Sequence, residues 1–426
     1  MYQRYKYYFL TCMLLMLGFV AEIAIAESNQ SSVAVVLGRK AQSVTGGSAG
    51  NLPERIYNKL AKAQKYLAAD KYDDALRILK KLEKSQQRRP AALAQVLQTQ
   101  GYVYAQMENF KDADTALDQA IKLNKLPMQP TLRTMYTRAQ VLVAAGRYQD
   151  AVPIVQDVIF SSPTPKPEHY FFLAQVLAQL KEEKTAIIMA ETALELAESP
   201  KENWLQLLVA LYYESKLFEK SAVALEKLVT LRPNKIKYWR QLSGVYINLD
   251  QSDKALSSLE VAYKQGVLKE ERELLQLARL SMFRKVPYKA GNYLNKAFKE
   301  GLIKKTQKNY ELEANAWIQA QELKRAQEAL ALAAPLSKNG EVFMRQGQLY
   351  LAQDKWSLGE IAIDKALKKG GIKKPGLAWL TLGIAKYQSK KFKGAANAFQ
   401  KAVAYEAYKK QAIDWLNHLK DPAHRI

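Results

Sequence analysis

The stretch Ala378–Ala402, AWLTLGIAKYQSKKFKGAANAFQKA, decides the fold of this chain. Trp379, Leu382, Gly383 and Ala385 fall on one face of a helix, a turn follows at Ser389-Lys390-Lys391, and Phe392, Ala395, Phe399 and Ala402 line a second helix. Apolar spacings of three and four fit a period of about 3.6 residues and no strand pattern. Two such helices alone leave one face bare, so the unit is stable only if copies of it stack.

Copies are present. With Trp379 set at position four, the same template starts at Ile56, Ala94, Leu132, Pro167, Glu202, Ile236, Glu271, Gln307, Gly340 and Gly376, at intervals of 33 to 38 residues. Position eight, where two helices approach, reads Ala63, Gly101, Ala139, Ala174, Val209, Ser243, Ala278, Ala314, Gly347 and Gly383. Position twenty reads Ala75, Ala113, Ala151, Ala186, Ser221, Ala255, Ala290, Ala326, Gly359 and Ala395. One A-x3-F pattern is common to amphipathic helices; ten in register define an array. The pattern W-x2-L-G, an aromatic, then A-x3-F-x2-A resembles the tetratricopeptide repeat, whose unit is about 34 residues. The resemblance implies an all-α fold: an α-solenoid, a right-handed superhelix of about ten helix pairs over residues 54–404. A capping helix and C-terminal tail are expected over 405–426, with Ile413, Leu416 and Leu419 on the covered side, because the last repeat has no neighbour.

Around this array the chain reads simply. Arg4 and Lys6, the apolar run Tyr7–Val20 and Ala24-Ile25-Ala26 predict a secretory signal over residues 1–26, cleaved before Glu27. Glu22 interrupts the run too early for a membrane anchor of about 20 residues. Cys12, the sole cysteine, leaves with that signal, so the mature chain has no thiolate chemistry. Export, three histidines and an all-helical body point to a bacterial periplasm. Residues 27–53 form a Ser-, Asn- and Gly-rich linker. Within it, Val33–Leu37 is either plain linker or a strand that pairs with a partner. Pro163, Pro167, Pro200, Pro233 and Pro375 mark repeat junctions, whereas Pro153 falls inside a second helix and predicts a kink or a late start.

Chemistry is sparse. Gly46-Gly47-Ser48-Ala49-Gly50 matches G-x-S-x-G but lacks the strand and helix that a nucleophile elbow needs. No metalloprotease, phosphate-loop, dinucleotide or Cys–His motif occurs. His169, His418 and His424 read as exposed side chains rather than a metal site, and aromatic residues such as Trp239, Trp356 and Trp379 read as packing. No cofactor is expected. The net charge of +23, or +22 without Arg4, Lys6 and Glu22, raises nucleic acid as a partner, but export and the missing recognition motifs argue against it. Lys304-Lys305, Lys368-Lys369, Lys373-Lys374 and Lys390-Lys391 lie in turns, where they are solvated or hold the protein peripherally near an anionic membrane surface or an acidic protein.

The chain is thus read as a non-enzymatic protein-binding scaffold. In tetratricopeptide proteins the first helices line the concave face, and the resemblance carries that role to positions two, five, nine, twelve and thirteen. They read Gln64, Gln98, Tyr102, Tyr136, Gln140, Phe171, Gln175 and Gln179 early, then Arg133, Lys237, Arg240, Arg272, Arg279 and Lys308, and last Leu377, Leu380, Ile384 and Tyr387. Amides suit the backbone of an extended peptide, and arginines suit carboxylates. The family's two-carboxylate clamp is not reproduced. A signal peptide, a Gly/Ser linker with Arg39-Lys40-Ala41-Gln42, and ERIYNKLAKAQKYLAADKYDDAL at Glu54–Leu76 resemble the periplasmic tetratricopeptide proteins associated with TonB systems of marine gammaproteobacteria. That likeness implies an accessory to TonB–ExbB–ExbD, which drives iron-chelate uptake. The alternative is a scaffold for secretion, pilus or polysaccharide export, or a cell-wall-binding module.

Overall fold

Every repeat turns on the same strained residue. In the computed structural model, which describes residues 44–47 and 52–420, position fifteen lies in the left-handed region throughout. Asp70, Glu108, Gly146, Lys181, Lys216, Asp250, Lys285, Gln321, Asp354 and Lys390 all have φ between 55° and 76°. One residue later, the backbone N–H reaches back five positions: Lys71 to the Tyr66 carbonyl, Leu217 to Tyr212, Glu322 to Trp317, Lys391 to Lys386. This six-to-one closure ends the first helix and launches the second within a two-residue turn.

The helices that result are as follows. The first unit, ending at Leu231, holds α1 (Glu54–Ala68), α2 (Tyr72–Gln86), α3 (Pro90–Gln106), α4 (Phe110–Lys122), α5 (Met128–Ala144), α6 (Tyr148–Ser161), α7 (Pro167–Gln179), α8 (Glu183–Leu196), α9 (Glu202–Glu214) and α10 (Phe218–Leu231). The second, from Arg232 onward, holds α11 (Ile236–Asn248), α12 (Ser252–Lys264), α13 (Glu271–Phe283), α14 (Pro287–Lys299), α15 (Gln307–Gln319), α16 (Leu323–Ala333), α17 (Glu341–Leu351), α18 (Trp356–Lys369), α19 (Pro375–Gln388), α20 (Phe392–Val403) and α21 (Glu406–Lys420). Among the described residues there is no strand. Within each unit every helix packs on the next in sequence, which is the α-solenoid arrangement of consecutive helix pairs. Odd-numbered helices up to α19 are the first of a pair, even-numbered ones the second.

Small residues set the helix spacing. Ala75, Ala113, Ala151, Ala186, Ala255, Ala290, Ala326 and Ala395 at position twenty are wholly buried. At Gly383 an added Cβ would stand 2.4 Å from the Phe399 ring, so α19 and α20 touch only because that methyl is missing. Pro90, Pro167, Pro287 and Pro375 open helices at their first turn, where a missing N–H costs nothing.

Three expectations change. α6 begins at Tyr148 and runs through Pro153 to Ser161, so the proline does not delay the helix. In α21 the covered residues are Ala412 and Leu419, with Trp415 and Leu416 packed beside them, while Ile413 is 40% exposed; the helix is rotated from the expected face so that its tryptophan reaches Phe399. Part of the linker is also seated: the Gly47 N–H donates to the Leu126 carbonyl at 2.8 Å and the Val44 N–H to Ser161 Oγ at 2.9 Å. The signal segment, Val33–Leu37, Ser48 and His424 lie outside the described residues. No described helix is long and apolar enough to cross a membrane.

Candidate protein-binding face

The first helices carry the candidate residues, and their environments divide them sharply. In the first unit Tyr102 and Gln140 line one recess of about 490 Å³ with Leu67, Asp70 and Thr137, so two of the expected residues do meet. Gln98 lies beside them but is already engaged: its amide donates to Thr134 Oγ1 at 2.6 Å and to the Tyr102 hydroxyl at 3.1 Å. It braces α3 against α5 rather than waiting for a ligand. Gln64, Arg133, Gln175 and Gln179 are exposed.

Two aromatics expected on this face are taken up, wholly or in part, by packing. Phe171 is 6% exposed and stacks on Trp204 with ring centroids 4.9 Å apart, joining α7 to α9. Tyr136 is half-buried between His169, at 4.7 Å, and Phe172, at 5.3 Å; burial, helped by Glu168, raises its phenol above the usual range. His169 is likewise not the exposed side chain expected. Burial, with Lys166 adding to it, lowers its pKa, and the ring serves as a packing surface.

The last repeat is corrected more fully. Leu380 is buried, and Ile384 and Tyr387 pack with it beneath Ala412, Trp415, Leu416 and Leu419 of α21. The Tyr387 hydroxyl lies 2.9 Å from His418 Nε2. Leu377 packs instead in the neighbouring cluster with Met344 and Ala378. The apolar patch read as a ligand surface is the seat of the capping helix, which the sequence showed as a separate element.

The second unit keeps its cations. Lys237, Arg272, Arg279 and Lys308 are exposed. Every fully exposed charged side chain on α11, α13 and α15 is one of these four. The carboxylates on the same helices are spoken for. Glu271 accepts from Asn309 Nδ2 at 2.8 Å, Glu311 faces Arg345 at 3.9 Å, and Glu313 is buried. Glu273, wholly buried, is held by Arg240 at 3.0 Å. Arg240 is therefore a structural cation, and its reversal would leave the buried Glu273 unpaired beside a second carboxylate. Beside the free cations stand two side chains the sequence reading did not single out, Phe283 at 70% and Ile247 at 45% exposure. They occupy positions thirteen and twelve, and a large apolar residue at a ligand-facing position was the available signal. Among the described residues no cluster of metal-ligating side chains occurs.

The turn lysines are mixed. Lys391 is committed, with Lys386, to Glu360 at 3.0 and 3.1 Å, and Lys369 Nζ donates to the Ala334 carbonyl at 3.3 Å. Lys305, Lys368, Lys373 and Lys374 are exposed.

Fold and face together define a scaffold of stacked helix pairs. The comparisons name its unit. Tetratricopeptide-repeat models match residues 344–412 and 94–125, and the model of the ChAPs (Chs5p-Arf1p-binding proteins) matches residues 135–277. The chain carries tetratricopeptide repeats, which are protein-interaction modules. Among solved structures, the C-terminal part of a TPR repeat-containing protein from Cytophaga hutchinsonii is similar at 13% identity and a TM-score of 0.41, covering 65% of this chain and 95% of that one. YrrB, described as a TPR protein with an unusual peptide-binding site, is similar at 14% identity and a TM-score of 0.36, covering 44% and 91%. A tetratricopeptide repeat protein from Parabacteroides merdae is similar at 17% identity and a TM-score of 0.32, covering 60% and 98%. No curated protein matches the sequence.

Proposed function

We propose that this chain is a non-enzymatic periplasmic scaffold, accessory to a TonB–ExbB–ExbD system, that holds an acidic extended segment of a partner along α11, α13 and α15. The observation that carries the acidic ligand is the set Lys237, Arg272, Arg279 and Lys308, exposed and unopposed by any exposed carboxylate on those three helices. Such a set draws an acidic chain in and fixes its register, and arginine forks take carboxylates in bidentate fashion. Phe283 and Ile247 supply the apolar anchors that give a charged contact its residence time. The compartment and the transport system rest on the signal-like N-terminus and on the likeness of Glu54–Leu76 to the TonB-associated group.

A photoreactive residue in place of Arg279 tests both parts in the intact cell. Capture of TonB, ExbB, ExbD or an associated receptor supports the transport reading. Recovery of secretion, pilus or polysaccharide-export proteins replaces it with the assembly scaffold, and an uncrosslinked, folded protein rejects this face as the binding surface.

A further inference from the structure

Two joints between successive repeats carry an ion pair at the same two positions, and a later joint keeps the cation but not its carboxylate. In the first two, a lysine at position nineteen meets a glutamate at position twenty-five of the preceding repeat. Lys220 Nζ meets Glu191 at 2.8 Å, and Lys289 Nζ meets Glu260 at 2.9 Å. At the joint of α14 with α15 and α16 the cation is Arg325, but the preceding position twenty-five is Asn295. Arg325 makes no ion pair among the described residues and lies over the Trp317 ring, 4.7 Å from its centroid.

The missing carboxylate reappears where it does not pair. Glu313 occupies position seven, which in this unit is leucine at Leu242, Leu277 and Leu382 and glutamine at Gln346. It is 4% exposed. One oxygen, Oε1, accepts from Asn295 Nδ2 at 3.1 Å and from the Trp317 indole at 3.3 Å. The other accepts no hydrogen bond from the described residues but is not sealed off from solvent. A buried carboxylate with no cation is costly unless something satisfies it.

Both unmatched charges line one cavity of about 420 Å³, within the size range of small-molecule sites. Asn292, Lys299 and Glu328 complete its polar wall. Trp317 offers no free ring face to a ligand: Arg325 covers one, and Gly291 stands so close to the ring that a Cβ there would be 2.7 Å away. The wall therefore suits a polar solute that brings both missing charges.

We propose that this cavity binds a small zwitterion, a free amino acid or dipeptide, with its ammonium against Glu313 and Glu328 and its carboxylate against Arg325 and Lys299. The site lies among α14, α15 and α16, apart from the exposed cations of the first helices, and does not depend on what those cations hold. Isothermal titration of the full chain with glycylglycine gives a Kd of about 0.1–1 mM, the range that a ligand of so few atoms reaches. N-acetylglycylglycine, which lacks the ammonium, and glycylglycinamide, which lacks the carboxylate, each bind at least about tenfold more weakly. Arg325→Gln weakens glycylglycine by a similar factor. Glu313→Leu, which places there the leucine of the preceding repeat, removes binding while raising the melting midpoint, so loss of binding cannot be ascribed to loss of fold. Absence of binding by the unaltered chain at about ten times that concentration range, equal binding of the blocked dipeptides, or binding that survives both substitutions overturns the proposal.

Discussion

Lys216 sits at φ 57° in the turn between α9 and α10. A side chain in that region costs about 1–2 kcal/mol, and glycine removes the cost while giving back about 0.5–1 kcal/mol in chain entropy. Lys216→Gly is therefore expected to stabilise the protein by about 0.5–1 kcal/mol, read as a higher urea midpoint at unchanged slope. Two carboxylates behave oppositely with pH. Burial raises the pKa of Glu313, Glu328 adds to it, and the donors Asn295 and Trp317 only partly offset this. The folded state thus holds that proton more tightly than the unfolded chain, and the stability so gained at low pH is lost as pH rises. Burial also pushes Glu360 upward, but hydrogen bonds from Lys391 and Lys386 outweigh it and leave its pKa lowered. Its contribution is present above the ordinary glutamate value and is lost as pH falls. Between about pH 2 and about pH 7 the two changes act in separate windows: below about pH 4, Glu360→Gln should lose stability relative to the parent chain as pH rises, and above it Glu313→Gln should gain it. Parallel urea curves across that range would refute the pairing of environments.

At the scale of elements the capping helix is the sharpest case. Trp415 of α21 stacks on Phe399 at 5.4 Å with the rings 9° from parallel, over the buried Leu380. Trp415→Ala is expected to cost about 2–3 kcal/mol, less than a fully buried tryptophan because its rim is wet. A chain ending after Ala404 should lose more helicity than the fifteen residues of α21 supply and should self-associate, visible by circular dichroism and light scattering. The sequence announced this helix but not its seat. The same apolar side chains, Leu380, Ile384 and Tyr387, serve a groove or a cap equally well, and only the docked helix decides. Helix existence was legible because periodicity and small residues repeat ten times. The turns were less so: their left-handed residue is glycine only at Gly146, so position fifteen carries no compositional signal. The cationic face was legible as residue types. That Arg240 is spent on Glu273 was not, because the pair is 33 residues apart and visible only once α11 and α13 lie side by side.

For the molecule as a whole, a net charge of +23 would attract any polyanion, so binding of an acidic segment must be separated from bulk attraction. Screening does this, because charges beyond a Debye length of about 8–10 Å are lost at moderate salt while close pairs persist. Neutralising Lys237, Arg272, Arg279 and Lys308 to glutamine removes four positive charges from α11, α13 and α15. Neutralising Lys305, Lys368, Lys373 and Lys374 removes four from turns and helix ends of the same unit. Net charge then falls equally in both variants. A short poly-glutamate peptide, followed by fluorescence anisotropy at rising salt, should lose at least about tenfold in affinity to the first set and less than about threefold to the second, the difference persisting at physiological ionic strength. Phe283→Ala should leave the melting midpoint unchanged, since the ring is 70% exposed, yet speed the release of an acidic peptide that carries an apolar anchor. Equal loss from both sets of lysine and arginine changes would mean that the solenoid attracts acidic chains by its total charge, and that α11, α13 and α15 form no dedicated face.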